Sequence, residues 1–253
     1  MVVGAASVEA VVSEAASELD EDLAEDDDDE LLSFASWEPE HATSSTTIAA
    51  TAPARNLTGR TVDSAPIAST HVLVPIKAFS QAKVRLAPTL EPSERADLAA
   101  RMAARVIAAA GPLPAWVVCD DEDVAAWAEA HGAAVVWTPG RGLNGAVQDG
   151  VERLAEAGAV EVIVAHGDLP LADDLGRLAG FPGLTLVPDR HGDGTNVVVV
   201  PTGVGFAFSY GAGSFARHRD EADRLALPYR VLRDPRLGWD VDVPADLEDL
   251  TWG

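Results

Sequence analysis

From residue 70 onward, short apolar runs alternate with stretches of helical period, and this alternation confines the chain to an α/β fold built on a parallel sheet. The first run, His71-Val72-Leu73-Val74-Pro75, reads as a strand. A helix over 92–110 follows, with Ser93 as its N-cap and Leu98, Met102 and Val106 at core spacing. The pattern continues with a strand at 115–119, a helix at 123–131, a strand at 133–138, a helix at 144–158 and a strand at 160–165. Three such βα steps leading into a fourth strand predict parallel strands with helices on both faces. Beyond residue 180 the strands at 183–188, 195–201 and 238–243 follow one another more closely, which predicts that they extend or reverse the sheet. Ligands of open α/β sheets lie at the carboxyl ends of the strands, so each motif is tested by whether it follows one.

Residues 1–69 break this pattern. They carry 15 of the 41 acids and only two bases, Arg55 and Arg60. The run Glu25-Asp26-Asp27-Asp28-Asp29-Glu30 and the Ser/Thr/Ala/Pro-rich stretch after it predict a disordered acidic extension, with a transient helix at 7–19. The folded domain is expected at 70–253. Over the whole chain, 18 Lys+Arg against 41 Asp+Glu argue against a nucleic-acid partner, because the surface repels a polyanion. No apolar stretch is long enough for a membrane span and no secretory signal is apparent, so a cytoplasmic protein is expected. Cys119 is the single cysteine and closes an apolar run, which excludes a disulfide framework and reads as a strand residue, not a nucleophile.

Five places could carry chemistry. Asp168, in His166-Gly167-Asp168-Leu169-Pro170, directly follows a strand and is placed to bind a metal or to cap the next helix. Asp240 and Asp242 flank Val241, and strand alternation would put both carboxylates on one face, where they repel unless a cation joins them. Mg²⁺ suits such a site, since it takes carboxylate oxygens together with substrate phosphates. Lys77, Lys83 and Arg85 form a cationic group after the first strand of an acidic chain, suited to neutralising a triphosphate. Two glycine-rich turns, Gly192-Asp193-Gly194-Thr195-Asn196 and Tyr210-Gly211-Ala212-Gly213-Ser214, permit close approach of a phosphate or carboxylate. His218, just beyond, reads as a helix-face residue and not a ligand.

In their order and spacing these pieces resemble the CofC/FbiD family, the 2-phospho-L-lactate or phosphoenolpyruvate guanylyltransferases of coenzyme F-420 synthesis. The likeness spans residues 70–250. It rests on Val74-Pro75-Ile76-Lys77, Ala82-Lys83-Val84-Arg85-Leu86-Ala87, Leu143-Asn144-Gly145-Ala146, Gly167-Asp168-Leu169-Pro170, Gly194-Thr195-Asn196, Gly211-Ala212-Gly213-Ser214 and Asp240-Val241-Asp242-Val243-Pro244-Ala245-Asp246-Leu247. The resemblance implies a single-domain nucleotidyltransferase fold of GT-A-like, Rossmann type, with a mostly parallel mixed sheet flanked by helices. It implies that Thr195, Gly211 and Ser214 hold the acid and phosphate of the acceptor, and that Asp168, Asp240 and Asp242 hold Mg²⁺. Leu143 and Asn144 fall where the family approaches the nucleotide, Asn144 at the guanine or ribose. One departure stands out: Asp193 occupies a turn that more usually reads Gly-Thr-Gly-Thr, and its charge would oppose an anionic acceptor unless it points away or meets the metal.

The implied reaction joins GMP from GTP to a phosphorylated three-carbon acid and releases pyrophosphate, with a homodimer left open. The acceptor phosphate is already ionised, so positioning and charge neutralisation matter more than a general base. A related nucleotidyltransferase with a 3-phosphoglycerate or molybdopterin acceptor is a competing reading. The cytidylyl and molybdopterin enzymes carry a Gly-rich loop after the first strand, and here that place is Pro75-Ile76-Lys77-Ala78-Phe79. A non-catalytic scaffold is a second reading, one that gives no reason for the carboxylate set.

Overall fold

The computed structural model describes residues 69–248. The acidic extension, with its expected helix at 7–19, lies outside the described residues. Seven strands form one sheet in the order β3-β2-β1-β4-β6-β5-β7. They are β1 (Thr70–Pro75), β2 (Ala115–Cys119), β3 (Ala134–Trp137), β4 (Glu161–Ala165), β5 (Leu184–Pro188), β6 (Thr195–Pro201) and β7 (Tyr229–Val231). The first four are mutually parallel. β6 runs antiparallel to both β4 and β5, and β7 is again parallel to β5, so β6 alone is reversed. The expected switch after residue 180 is this reversal.

Among the described residues five α-helices accompany the sheet: α1 (Pro92–Ala109), α2 (Glu122–Ala130), α3 (Gly142–Glu156), α4 (Ser214–Arg224) and α5 (Pro244–Glu248). Strand alternation divides the core into two layers. Val72 and Val74 face α1 and α2 through Val106, Ile107, Val124 and Ala128. Leu73, between them, faces α3 and α4 through Val147, Leu154, Phe215 and Ala222. Among the described residues no helix is long and apolar enough to cross a membrane.

Three local readings change. The N-cap of α1 is Glu91, not Ser93: the Glu91 amide donates to the Glu94 carboxylate at 2.8 Å, and Pro92 takes the first helical position, where its missing N–H costs nothing. Residues 238–243 form no strand. Asp240 and Asp242 nevertheless share an orientation, because fully buried Val241 pins the segment to a small separate core of Leu86, Leu98 and Met102. β7 went unread, since three residues with exposed Val231 carry little periodic signal.

That small core has a consequence for the site. α1 supplies Leu98 and Met102, and on them rest Leu86, three residues from Lys83, and Val241, between the two aspartates. Met102 is completely buried. Met102→Ala is expected to cost about 2–5 kcal/mol in urea unfolding, and a loss below about 1 kcal/mol would show that this core is not tightly packed.

Candidate active site

All eleven residues singled out from the sequence line one cleft of about 690 Å³: Lys77, Lys83, Arg85, Leu143, Asn144, Asp168, Thr195, Gly211, Ser214, Asp240 and Asp242. The sheet topology explains the convergence. β1, β2 and β4 present their carboxyl ends here, through Lys77, Asp120 and Asp168. Because β6 is reversed, its amino end, Thr195, arrives at the same edge. The 192–196 motif links the carboxyl end of β5 to the amino end of reversed β6, and this hairpin turn places it at the ligand edge.

Lys83 organises the anionic side. Its Nζ donates to Asp168 Oδ2 and to Asp242 Oδ1, both at 2.7 Å, and the side chain is 9% exposed. The backbone at Lys83 is left-handed, φ 54°, a conformation that costs a non-glycine residue about 1 kcal/mol or more and aims the side chain inward. Burial opposes the ammonium's charge, but the Asp168 and Asp242 carboxylates outweigh it and hold the lysine well above its usual range. Asp168 likewise resists burial through Lys83 and His166, which keep its carboxyl below the usual range. Lys83 was expected at a triphosphate; its first partners are instead the two carboxylates.

The three aspartates therefore meet, and two of them meet around an ammonium. Among the described residues no group of three or more His, Cys, Asp or Glu is set as a metal-ligand cluster. Two features still suit a cation that arrives with a ligand. Asp168 Oδ1 is buried and has no hydrogen-bond partner among the described residues. Asp240 is pushed up to about 6, by burial first and then by the charges of Asp168 and Asp242. These carboxylates are the residues that would meet such a cation, and Mg²⁺ is one that takes few protein oxygens together with phosphate oxygens and water.

The opposite wall is a set of loops held by residues that sequence reasoning passed over. Asp189 accepts from the amides of Gly192, Asp193 and Gly194 and so shapes the first glycine turn. An Asp three residues before a Gly is a readable turn signal, though a common one. Asp193 accepts from the Gly213 amide at 2.9 Å, and its carbonyl accepts from Phe215 N, which ties the two glycine turns together. The charge expected to oppose an acceptor is thus spent partly on a backbone donor. Asn144 accepts from Tyr210 N at 2.6 Å and donates to Tyr210 O at 3.4 Å, so its amide latches the second turn. Arg190 bonds Asp246, donates to Asp240 O at 2.9 Å and covers Trp239. Asp246 in turn accepts from the amides of Asp242 and Val243, which fixes the aspartate pair from behind. His218 lies on α4, as its spacing suggests, on the face turned inward: it is fully buried and bonds Thr195. Cys119 lines the cleft, but burial raises its thiol to about 11, and at neutral pH it is not a thiolate.

The position of Asp240 makes a prediction about pH. A carboxyl near 3.8 when unfolded and about 6 when folded binds its proton more tightly in the native state. Its contribution to stability is thus intact below about pH 4 and is lost as pH rises through about 6. Asp240→Asn removes that penalty and should stabilise the ligand-free protein by about 1–3 kcal/mol at pH 8, with the gain vanishing near pH 4. Thermal melts across this range check it, and a gain independent of pH would contradict the cause given.

The family described as "Guanylyl transferase CofC like" matches residues 70–252. A phosphoenolpyruvate guanylyltransferase from Sphaerobacter thermophilus is 38% identical, over 72% of this chain and 92% of its own. One from Conexibacter woesei is 36% identical, over 72% and 87%. Among solved structures, a putative nucleotide-diphospho-sugar transferase from Desulfovibrio desulfuricans superposes with a TM-score of 0.58 at 16% identity, covering 72% of this chain and 85% of that one. A nucleotidyl transferase from Methanothermobacter gives 0.53 at 15% identity, over 71% and 94%. These two likenesses show the nucleotidyltransferase fold. The family match and the curated relatives show more: the chain belongs to the CofC-like guanylyl transferases.

Proposed function

We propose that the chain transfers GMP from GTP to phosphoenolpyruvate, giving enolpyruvyl-diphospho-5'-guanosine and pyrophosphate, a step of coenzyme F-420 synthesis in the cytoplasm. The observation that carries this reading is one cleft with an aspartate-lysine wall opposite two hydroxyl- and amide-bearing turns. Its volume, about 690 Å³, is that of a site for a nucleotide and a small acid. The curated relatives carry the name phosphoenolpyruvate guanylyltransferase, which favours this acceptor over 2-phospho-L-lactate.

In the reaction, an oxygen of the acceptor phosphate forms a bond to the α-phosphorus of GTP. The bond from that phosphorus to the bridging oxygen of the β-phosphate breaks, and pyrophosphate leaves with the electron pair. The nucleophile is ionised at neutral pH, so no side chain need take a proton. Two anions must instead be held close and in line. Thr195 and Ser214 offer hydroxyls to the acceptor, with the Gly211 backbone beside them. Lys77 and Arg85 line the triphosphate side, and Leu143 and the Asn144-latched turn bound the nucleoside. Asp168, Asp240 and Asp242 would hold Mg²⁺, which when bound neutralises charge on the triphosphate. Lys83 keeps Asp168 ionised and holds it beside Asp242 for that purpose.

Pyrophosphate release from GTP tests the assignment, with phosphoenolpyruvate, 2-phospho-L-lactate and 3-phosphoglycerate offered in parallel. Phosphoenolpyruvate should give the highest kcat/KM, and Asp168→Ala should lower it by about a hundredfold or more. Preference for another of the three acids would reassign the acceptor. Undiminished turnover by the variant would remove Asp168 from the machinery.

A further inference from the structure

His218 lies behind the acceptor side of the cleft, on α4, with both ring nitrogens engaged. The backbone amide of Ser209 is 3.0 Å from Nε2, and Nδ1 is 3.1 Å from Thr195 Oγ1. An amide can only donate, so Nε2 is the acceptor nitrogen. In the neutral ring the hydrogen must then sit on Nδ1. Burial, with the ring fully out of solvent, pushes His218 down to about 4, which keeps it neutral under working conditions.

The tautomer decides what Thr195 can do. Its hydroxyl has one hydrogen and accepts from His218 Nδ1–H. The other neighbour is Ser214 Oγ, at a long 3.5 Å. Thr195 and Ser214 are nearly completely buried, yet both border the cleft. With its oxygen occupied from behind, Thr195 can turn its hydrogen forward, toward an oxygen that accepts and has no hydrogen of its own.

We infer that His218 is a positioning residue: by donating from Nδ1 to Thr195 Oγ1 it turns the threonine hydroxyl into a donor aimed at an anionic oxygen of the acceptor, phosphate or carboxylate. This rests on the reading of Thr195 as part of the acceptor site. The device favours an oxyanion over a hydroxyl at this position, since a hydroxyl ligand would gain only one of its two hydrogen-bond roles there. It also explains a buried histidine, 23 residues from Thr195 in sequence, that touches no reacting atom.

Two substitutions separate the ring's two bonds. His218→Gln can place an oxygen where Nε2 accepts from Ser209, but it brings no donor to Thr195. His218→Asn can restore an N–H at the Nδ1 position and gives up the Ser209 bond. With Mg²⁺, GTP and phosphoenolpyruvate, His218→Gln should raise KM for the acid roughly five- to tenfold and leave KM for GTP unchanged. His218→Asn should recover most of that loss. Thr195→Val should raise KM for the acid about tenfold or more, and His218→Gln added to it should change nothing further. No effect of Thr195→Val would overturn the acceptor-site reading and the inference with it. A Thr195→Val effect with unchanged KM in His218→Gln, or with fully additive effects, would overturn the inference alone. A ¹⁵N spectrum of the wild-type ring needs no variant to fold: Nδ1 should appear as the protonated nitrogen, and protonated Nε2 would overturn the relay.

Discussion

An ammonium buried between two carboxylates holds this site in place. Lys83 without Asp168 and Asp242 would be an unpaired charge under the surface; the aspartates without Lys83 would repel each other at the mouth of the cleft. Each member makes the others tolerable, and they come from segments 85 and 159 residues apart in sequence. The left-handed backbone at Lys83 and the raised carboxyl of Asp240 belong to the same balance. Both are costs borne by the ligand-free fold, concentrated where a cation and a triphosphate would relieve them.

Around that centre, the remaining polar groups work mainly on the backbone. Asp246 and Arg190 grip the amides and carbonyl of the aspartate segment, Asp189 shapes one glycine turn, and Asn144 and Asp193 secure the other. The glycine turns are therefore not loose loops waiting for a ligand. Their amides and hydroxyls stand in fixed positions before any acceptor arrives, so less ordering is left for the binding step. The sheet supplies the frame, and the reversal of β6 brings a strand's amino end among the carboxyl ends of its neighbours.

Much of this was legible in the sequence because it rests on periodicity and on strand-end residues. The βα alternation from residue 70 and the carboxylates Asp168, Asp240 and Asp242 needed no tertiary information to be noticed. What was hidden depends on contacts between distant segments. The Asp-Val-Asp alternation looks like a strand, yet it pairs with no strand among the described residues; Val241 in a side core produces the same orientation. Ser93 is a better cap residue than Glu91 by preference alone, but Pro92 and the Glu94 reply decide the start of α1. His218 has the spacing of a helix-face residue, and only the depth of its burial and the amide of Ser209 reveal a second task. The ammonium between the aspartates was equally out of reach: a cation cluster after a first strand suggests phosphate, and the carboxylate partners lie elsewhere in the chain.

Calorimetric titration of the protein with GTP, in Mg²⁺ and again in EDTA, tests the central claim most directly. If the aspartate wall receives the triphosphate only when a divalent ion accompanies it, GTP should bind in Mg²⁺ and lose about tenfold or more of its affinity in EDTA. Equal affinity in both would mean that the aspartates around Lys83 serve the fold and not the nucleotide.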